Sequence, residues 1–196
     1  MSTSEAVVSE PRERLLRVAS ELFYAKGIHA VGVEEIVSSA HVTRATLYRH
    51  FEGKDALVAA YLHAADRSIR STVESIIAAE PGPEARVRGV GAMVQGQIRS
   101  EGFRGCAFLN AAAEFPDDDN PVHRAVLEHR DWFQTTMAEL FAETDVANPG
   151  PAARHFVMLR DGAMAAGCLT DPEGVCAVFE RGVEGLLAAR GPAPAG

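Results

Sequence analysis

The sequence predicts an all-α protein of about nine helices, and three observations carry that prediction. Apolar residues recur three or four positions apart along nearly the whole chain, with no alternating run long enough for a strand. Proline, glycine, asparagine and aspartate cluster between these periodic segments, where caps and stops belong. Hydrophobic residues make up 47% of the 196, enough to give many short helices a shared core.

Residues 1–10 and 191–196 have no apolar periodicity and are expected to be disordered tails. Leu15, Ala19, Leu22 and Phe23 then share a helical face, with Leu16 beside them, and Gly27 stands where a left-handed cap would end that helix. Val33, Ile36, Val37 and Ala40 mark a short second helix. Thr43 offers its hydroxyl as the N-cap of a third, in which Leu47 and Phe51 meet at i and i+4. A long fourth helix runs from Lys54 to about Ala79 and stops at EPGP, residues 80–83. Periodicity resumes from Glu84 to about Ser100, then from about Gly105 to Glu114, where FPDDDNP interrupts it. Asn120 followed by Pro121 is a cap and first turn, starting a helix that reaches about Glu143. NPGP at 148–151 restarts the chain, and Asp171 with Pro172 repeats the cap-and-proline signal for the last helix. The expected division is a three-helix head over 11–56 and a helical body over 57–190.

Charge is unevenly placed along this order. The chain has a formal net charge of -8, yet Arg12 to Lys54 holds seven basic residues against five acidic ones. A basic head on an acidic body points to a polyanion that meets the head alone. No window is apolar enough to span a membrane and no basic-then-apolar leader opens the chain, so no membrane partner and a cytoplasmic address are expected. Three cysteines, an odd count without metal-site spacing, argue against a disulfide framework and a zinc site.

The head has the ingredients of a helix-turn-helix: two short helices, a tight turn, and a second helix with an apolar inner face and a polar outer one. That second helix, HVTRATLYRHF with its approach, is about 10 Å long and suits the major groove of DNA. Leu47 and Phe51 anchor it inward, leaving Arg44, Ala45, Thr46, Tyr48, Arg49 and His50 at its N-terminal end and flanks. Arginine can take guanine bidentately, Ala45 and the Thr46 methyl can touch a thymine methyl, and hydroxyls and imidazole can donate to phosphates.

The run from Arg12 to about Leu57, with ASELFYAKG, VEEIVSSAHV, TRATLYRHF and GKDAL in order, closely resembles the DNA-binding domain of TetR-family regulators. The resemblance implies that Arg44, Ala45 and Thr46 face bases or nearby backbone, Arg44 being the expected sequence reader. It implies that Thr43, Tyr48 and His50 clamp phosphates, that Lys54 at the start of the fourth helix holds another, and that Arg49 is a further contact. The chain departs from the family pattern in the turn, where His41 replaces the usual glycine and would carry left-handed strain. Val31 and Gly32 form a weaker cap for the second helix than threonine or serine would, and Glu34 and Glu35 either face away from the DNA or weaken binding.

For the body, the same resemblance implies dimerisation and effector sensing. In the last two helices, Phe156, Leu159, Ala163 and Ala166, with Gly162 and Gly167 beside them, form one stripe, and Val175, Phe179, Gly182 and Leu186 another. Paired across a two-fold axis they would make a four-helix homodimer interface. Phe103, Trp132 and Phe133 are candidates for an apolar effector cavity as well as for ordinary core. Cys106, Asn110 and Glu114 share a helical face at i, i+4 and i+8, a polar stripe that needs partners in neighbouring helices or in a small-molecule effector. The expected protein is therefore a homodimeric repressor that binds a palindromic double-stranded DNA operator and is released by an effector, with no cofactor. Cys106, near Arg104, also raises a thiol-based redox or electrophile sensor. Asp117 to Asp119 with His123 read as a solvated loop and helix start rather than as a metal site. Enzymes are the rival class, but GxSxG, HExxH, phosphate-loop and dinucleotide fingerprints are all missing. A helical interaction module that keeps the head without binding DNA is a third reading.

Overall fold

The computed structural model describes residues 10–190; the two expected tails lie outside the described residues except for Glu10, which already belongs to the first helix. The helices are α1 (Glu10–Lys26), α2 (Val33–Ser39), α3 (Arg44–His50), α4 (Lys54–Ala79), α5 (Pro83–Ile98), α6 (Ala107–Glu114), α7 (Pro121–Ala142), α8 (Pro149–Ala166) and α9 (Pro172–Ala188). The described residues contain these nine helices and no strand beyond one isolated bridge, Val146 with Arg190. The predicted fold class holds, and no described helix is long and apolar enough to cross a membrane.

The capping chemistry explains most boundaries. Thr43 accepts from the backbone N–H of Thr46, Asn120 from that of Val122 and Asp171 from that of Gly174, each satisfying a donor that the first turn leaves free. Gly32, in front of α2, provides no such side chain. Gly27 ends α1 at φ +89, the left-handed geometry that the sequence led one to expect.

Head and body share one continuous core. Leu47 and Phe51 of the α3 region are buried with Leu15, Val18 and Phe23 of α1, and Leu57 and Val58 of α4 join the same cluster. The long α4, about 39 Å from end to end, packs on α1 near its start and on α7 farther along. Helix α7 lies on α8, α8 on α9, and α9 returns to α5.

The last two helices correct one detail of the sequence reading. Phe156, Ala163, Phe179 and Leu186 are buried in the chain's own core, so only part of each proposed stripe faces outward. Gly167 is small for an internal reason: a Cβ there would stand 2.8 Å from Ile98 and 3.1 Å from Phe103. Gly182 likewise admits Leu159 from α8. Helical periodicity gave a hydrophobic arc wider than one stripe, and the inner half of that arc was taken up by neighbouring helices.

His41 adopts φ +52, the one positive value among the described non-glycine residues. The turn requires it, because His41 N–H reaches back to Ser38 and Val42 N–H to Val37, closing α2 before α3 begins. A side chain at this φ costs about 1–2 kcal/mol, and a β-branched one sits at the upper end. His41→Val is therefore expected to destabilise the protein by up to about 1 kcal/mol, the span of that range, in thermal or urea unfolding, whereas His41→Gly, which accepts the same φ without a Cβ, should match the parent or exceed it.

Candidate functional site

The N-terminal surface of the head is built by α3 and the turn that leads into it. Leu47 is completely buried and Phe51 nearly so, which fixes the rotation of a seven-residue helix and turns its other side to solvent. Thr43, Arg44, Ala45, Tyr48 and Arg49 are exposed, with Tyr48 at 46%, while Thr46, His50 and Lys54 are half-buried. All eight residues expected to contact DNA thus lie on α3, its cap or the first residue of α4.

Their local partners differ. The Thr43 hydroxyl caps α3 and lies 2.8 Å from the Thr46 hydroxyl, so one of the two hydroxyls donates to the other. Arg44 Nη1 donates to Glu34 at 2.6 Å, and its Cζ is 5.8 Å from the centre of the Tyr48 ring. Lys26 pairs with Glu35, so the two acids of α2 face cations of the head instead of pointing away. Arg14 and Arg17 are engaged by acids one helical turn away, and Arg12 lies over the Phe51 ring. Arg49 and Lys54 have no ion pair among the described residues. The head therefore presents one self-paired guanidinium, one unpaired guanidinium and one unpaired ammonium on the face where α3 projects.

In the body, the polar stripe of α6 divides between two locations. Cys106 is buried and accepts from Arg160 Nη2 at 3.3 Å; Arg160 is itself only 6% exposed, bonds Asp161 at 3.1 Å and lies over Phe133 at 5.2 Å. A cavity of about 200 Å³ reaches this arginine, bounded by Gln97, Phe103, Cys106 and Phe108. A second of about 500 Å³ shares Phe103, Cys106 and Met164 with it and extends toward Cys168. Asn110 is exposed and donates to the Arg104 carbonyl, at the edge of that second cavity.

Glu114 points elsewhere, toward the head. Its carboxylate accepts from the backbone N–H groups of Ile28 and His29 in the segment after α1, and His29 Nδ1 lies 3.0 Å from the same group. The Phe115 ring stacks on His29 at 4.9 Å. At the other end of α6, the Tyr24 hydroxyl donates to the Gly105 carbonyl and accepts from Arg104 N–H. Both ends of α6 are thereby tied to the end of α1. The residue spacing gave Glu114 a shared face with Cys106, but its partner lies 85 and 86 residues away and had no local signal.

Trp132 and Phe133 do not line either cavity at Cys106. Trp132 packs under Arg70, at 4.3 Å from its Cζ, and Phe133 is buried among His129, Arg160 and Phe156. His129, which the sequence reading did not single out, is 2% exposed, stacks on Phe108 at 3.7 Å and bonds Asp66 at 2.7 Å. Its Nε2 is buried without a partner among the described residues. Burial draws Asp66 toward protonation, but hydrogen bonds from His129 and Arg70 outweigh it and hold the carboxyl below its usual range. Burial pushes His129 below the ordinary histidine value, and the charges of Arg160 and Arg70 add to that, against the pull of Asp66. The proton on Nδ1 thus serves Asp66 while Nε2 is left as a bare acceptor. In the first turn of α7, His123 lies 2.7 Å from the Phe115 carbonyl and 3.2 Å from Asp118, and no described group of three or more metal-ligating side chains converges there or elsewhere.

A second helix seated by its apolar face and projecting arginine, tyrosine and threonine defines a helix-turn-helix DNA-binding protein. The chain belongs to the TetR family of transcriptional regulators. Residues 15–61 match the family described as bacterial regulatory proteins, tetR family. The chain is 57% identical to SCO4454, a TetR-family transcriptional regulator from Streptomyces coelicolor, whose structure it matches at a TM-score of 0.88 over 91% of this chain and 94% of that one. It is 31% identical over 136 residues to the transcriptional regulator AcuR of Cereibacter sphaeroides, covering 67% of this chain and 61% of that protein. It is 35% identical over 75 residues to an uncharacterised HTH-type transcriptional regulator of Mycobacterium tuberculosis, 38% of this chain and 37% of the relative. The matched stretch thus spans between about a third and three fifths of these curated relatives. The chain is a DNA-binding regulator rather than an enzyme.

The Asp66–His129 pair makes a pH-dependent contribution to this fold. Asp66, with its folded value lowered, stabilises above its unfolded value of about 4 and loses that contribution as pH falls through the folded value. His129, also lowered, takes up a proton in the unfolded chain near pH ~6.5 but resists it when folded, so stability falls as pH drops below that point. Thermal melts between neutral and mildly acidic pH should show the fall, and His129→Gln should flatten its upper part even though it lowers the melting temperature at neutral pH.

Proposed function

We propose that the protein is a homodimeric repressor that binds a palindromic operator through α3 and releases it when a small molecule occupies the body. The observation that carries the DNA part is the division of α3 into a buried Leu47 side and an exposed side bearing Arg44, Tyr48 and Arg49. Arg44 reads a base edge, Ala45 and Thr46 approach bases or nearby backbone, and Thr43, Tyr48, Arg49, His50 and Lys54 hold phosphates. Selection of bound duplexes from random DNA should enrich a palindrome. Arg44→Ala should weaken binding by about 1–3 kcal/mol and relax preference at one position per half-site, whereas Lys54→Ala should lower affinity for all sequences and flatten the salt slope by about one. An unenriched pool together with an unaltered Arg44→Ala would remove the basis of this reading.

A second copy of the chain is the occupant proposed for the outer face of α8 and α9. Supporting it are an apolar groove between Met158, Gly162 and Ala166 on one side and Val175 and Val178 on the other, with Met158 68% and Val178 59% exposed. Gly162 opens onto free space, so another helix can approach its backbone closely. An isologous pairing would bury these residues and set two heads a fixed distance apart. Val178→Glu, which puts a charge in the middle of this face, should turn the dimer into a monomer in sedimentation and weaken operator binding while the melting curve of the monomer is retained.

For the effector, the two cavities that meet at Cys106 and Phe103 support a molecule with an apolar body and a hydrogen-bond-accepting end directed at Arg160. Binding there would favour a head separation that no longer fits successive grooves, and its differential affinity for the two geometries sets the size of the response. The alternative of a thiol sensor is favoured by one contact: Cys106 faces both cavities with Arg160 on its sulfur. In that case hydrogen peroxide or iodoacetamide should release the protein from DNA, and Cys106→Ser should abolish the release. The cytoplasm, where the operator lies, is the proposed location.

A further inference from the structure

The contact between Glu34 and Arg44 is hard to account for as a feature of stability. Both side chains are on the surface, 72% and 60% exposed, and a pair so exposed contributes little to folding. Neither covers the core. What the pair does change is the charge that the head shows to DNA, because the neutralised cation is the first residue of α3.

The two kinds of DNA group offer Arg44 different exchanges. A backbone phosphate offers an anionic oxygen in place of the carboxylate oxygen already held, which gains little. A guanine offers N7 and O6 in one plane, and these can be met by the Nε–Nη2 edge of the guanidinium while Nη1 stays on Glu34. The Tyr48 ring, 5.8 Å from Cζ, bounds the guanidinium on another side and narrows the orientations open to it. Lys26 and Glu35 repeat the arrangement one residue along α2, so α2 lowers the charge of the head at two places while leaving Arg49 and Lys54 to the backbone.

We propose that Glu34 is a specificity-determining residue: by holding Arg44 it keeps this cation from binding phosphate indiscriminately and presents it to a guanine edge. Glu34 acts through Arg44 and is a positioning residue rather than a DNA contact. The inference rests on the DNA-binding reading of α3 given above. Its consequence is that the acid expected to weaken binding instead widens the gap between specific and non-specific DNA.

The test compares the full-length parent, Glu34→Gln, Arg44→Ala and the double variant on two duplexes of equal length, one selected for binding and one of random sequence, across a range of salt. Glu34→Gln should bind the random duplex about fivefold more tightly with a salt slope about one unit steeper, since one more phosphate contact is formed. On the selected duplex it should change affinity by less than about twofold, because there Arg44 already spends its free edge on the base. With Arg44 replaced by alanine, Glu34→Gln should no longer steepen the slope on random DNA. Equal gains on both duplexes, or the same gain without Arg44, would overturn the inference and leave Glu34 as general repulsion. If the parent distinguishes no duplex from random DNA, the reading of α3 fails first, and the slopes with and without Arg44 still decide whether Glu34 masks it. Melting curves of the exposed Glu34→Gln variant should overlay the parent and exclude a folding effect.

Discussion

A seven-residue helix does not persist in water by itself, because nucleation costs more than two turns of hydrogen bonds return. Everything that α3 can do therefore depends on the apolar seat formed by Leu47 and Phe51 against α1 and the start of α4. That seat fixes the rotation of α3, so which side chains reach outward is a property of the core. Thr43 adds the cap that starts the helix, and His41 accepts a strained φ so that α2 can stop in time. The polar surface is thus set by two buried side chains and one unfavourable backbone angle.

The same logic continues into the body. Because Leu57, Val58 and Tyr61 of α4 belong to one core with the head, the floor of the head is built in part by α4. Helix α6 adds a second tie through Glu114 and Tyr24, polar where the α4 contact is apolar. Hydrogen bonds from backbone N–H groups to a carboxylate are directional, so this tie fixes the angle of the segment after α1 as well as its distance. The cavities at Cys106 open beside the opposite end of the same short helix.

Electrostatics divides the chain as the charge count suggested, but less simply. The head is the basic part, yet most of its cations are answered locally by acids on α1 and α2. Net charge by segment located the surface; the pairing pattern shows how few charges that surface leaves free. The body contains the converse case, a buried Arg160 and a buried His129 in a region read from sequence as apolar. Arginine and histidine on amphipathic helices look like surface residues when only periodicity is known, because a buried polar side chain is legible only once its partners, Asp161 and Cys106 for Arg160 and Asp66 for His129, can be seen around it.

What the sequence by itself determined were the local features: nine helices and their caps at Thr43, Asn120 and Asp171, the strained turn at His41, the inward anchors Leu47 and Phe51, and the family motif around them. These depend on neighbours within a few positions, where propensity, capping and i,i+4 contacts act. Only the tertiary structure decided that Glu114 ties α6 to the segment after α1, that Glu34 faces Arg44, that Phe156 and Phe179 turn inward, and that His129 pairs with Asp66. Each of those outcomes depends on a partner from another helix. A helical pattern fixes which residues share a face, but it contains no information about what is packed against that face.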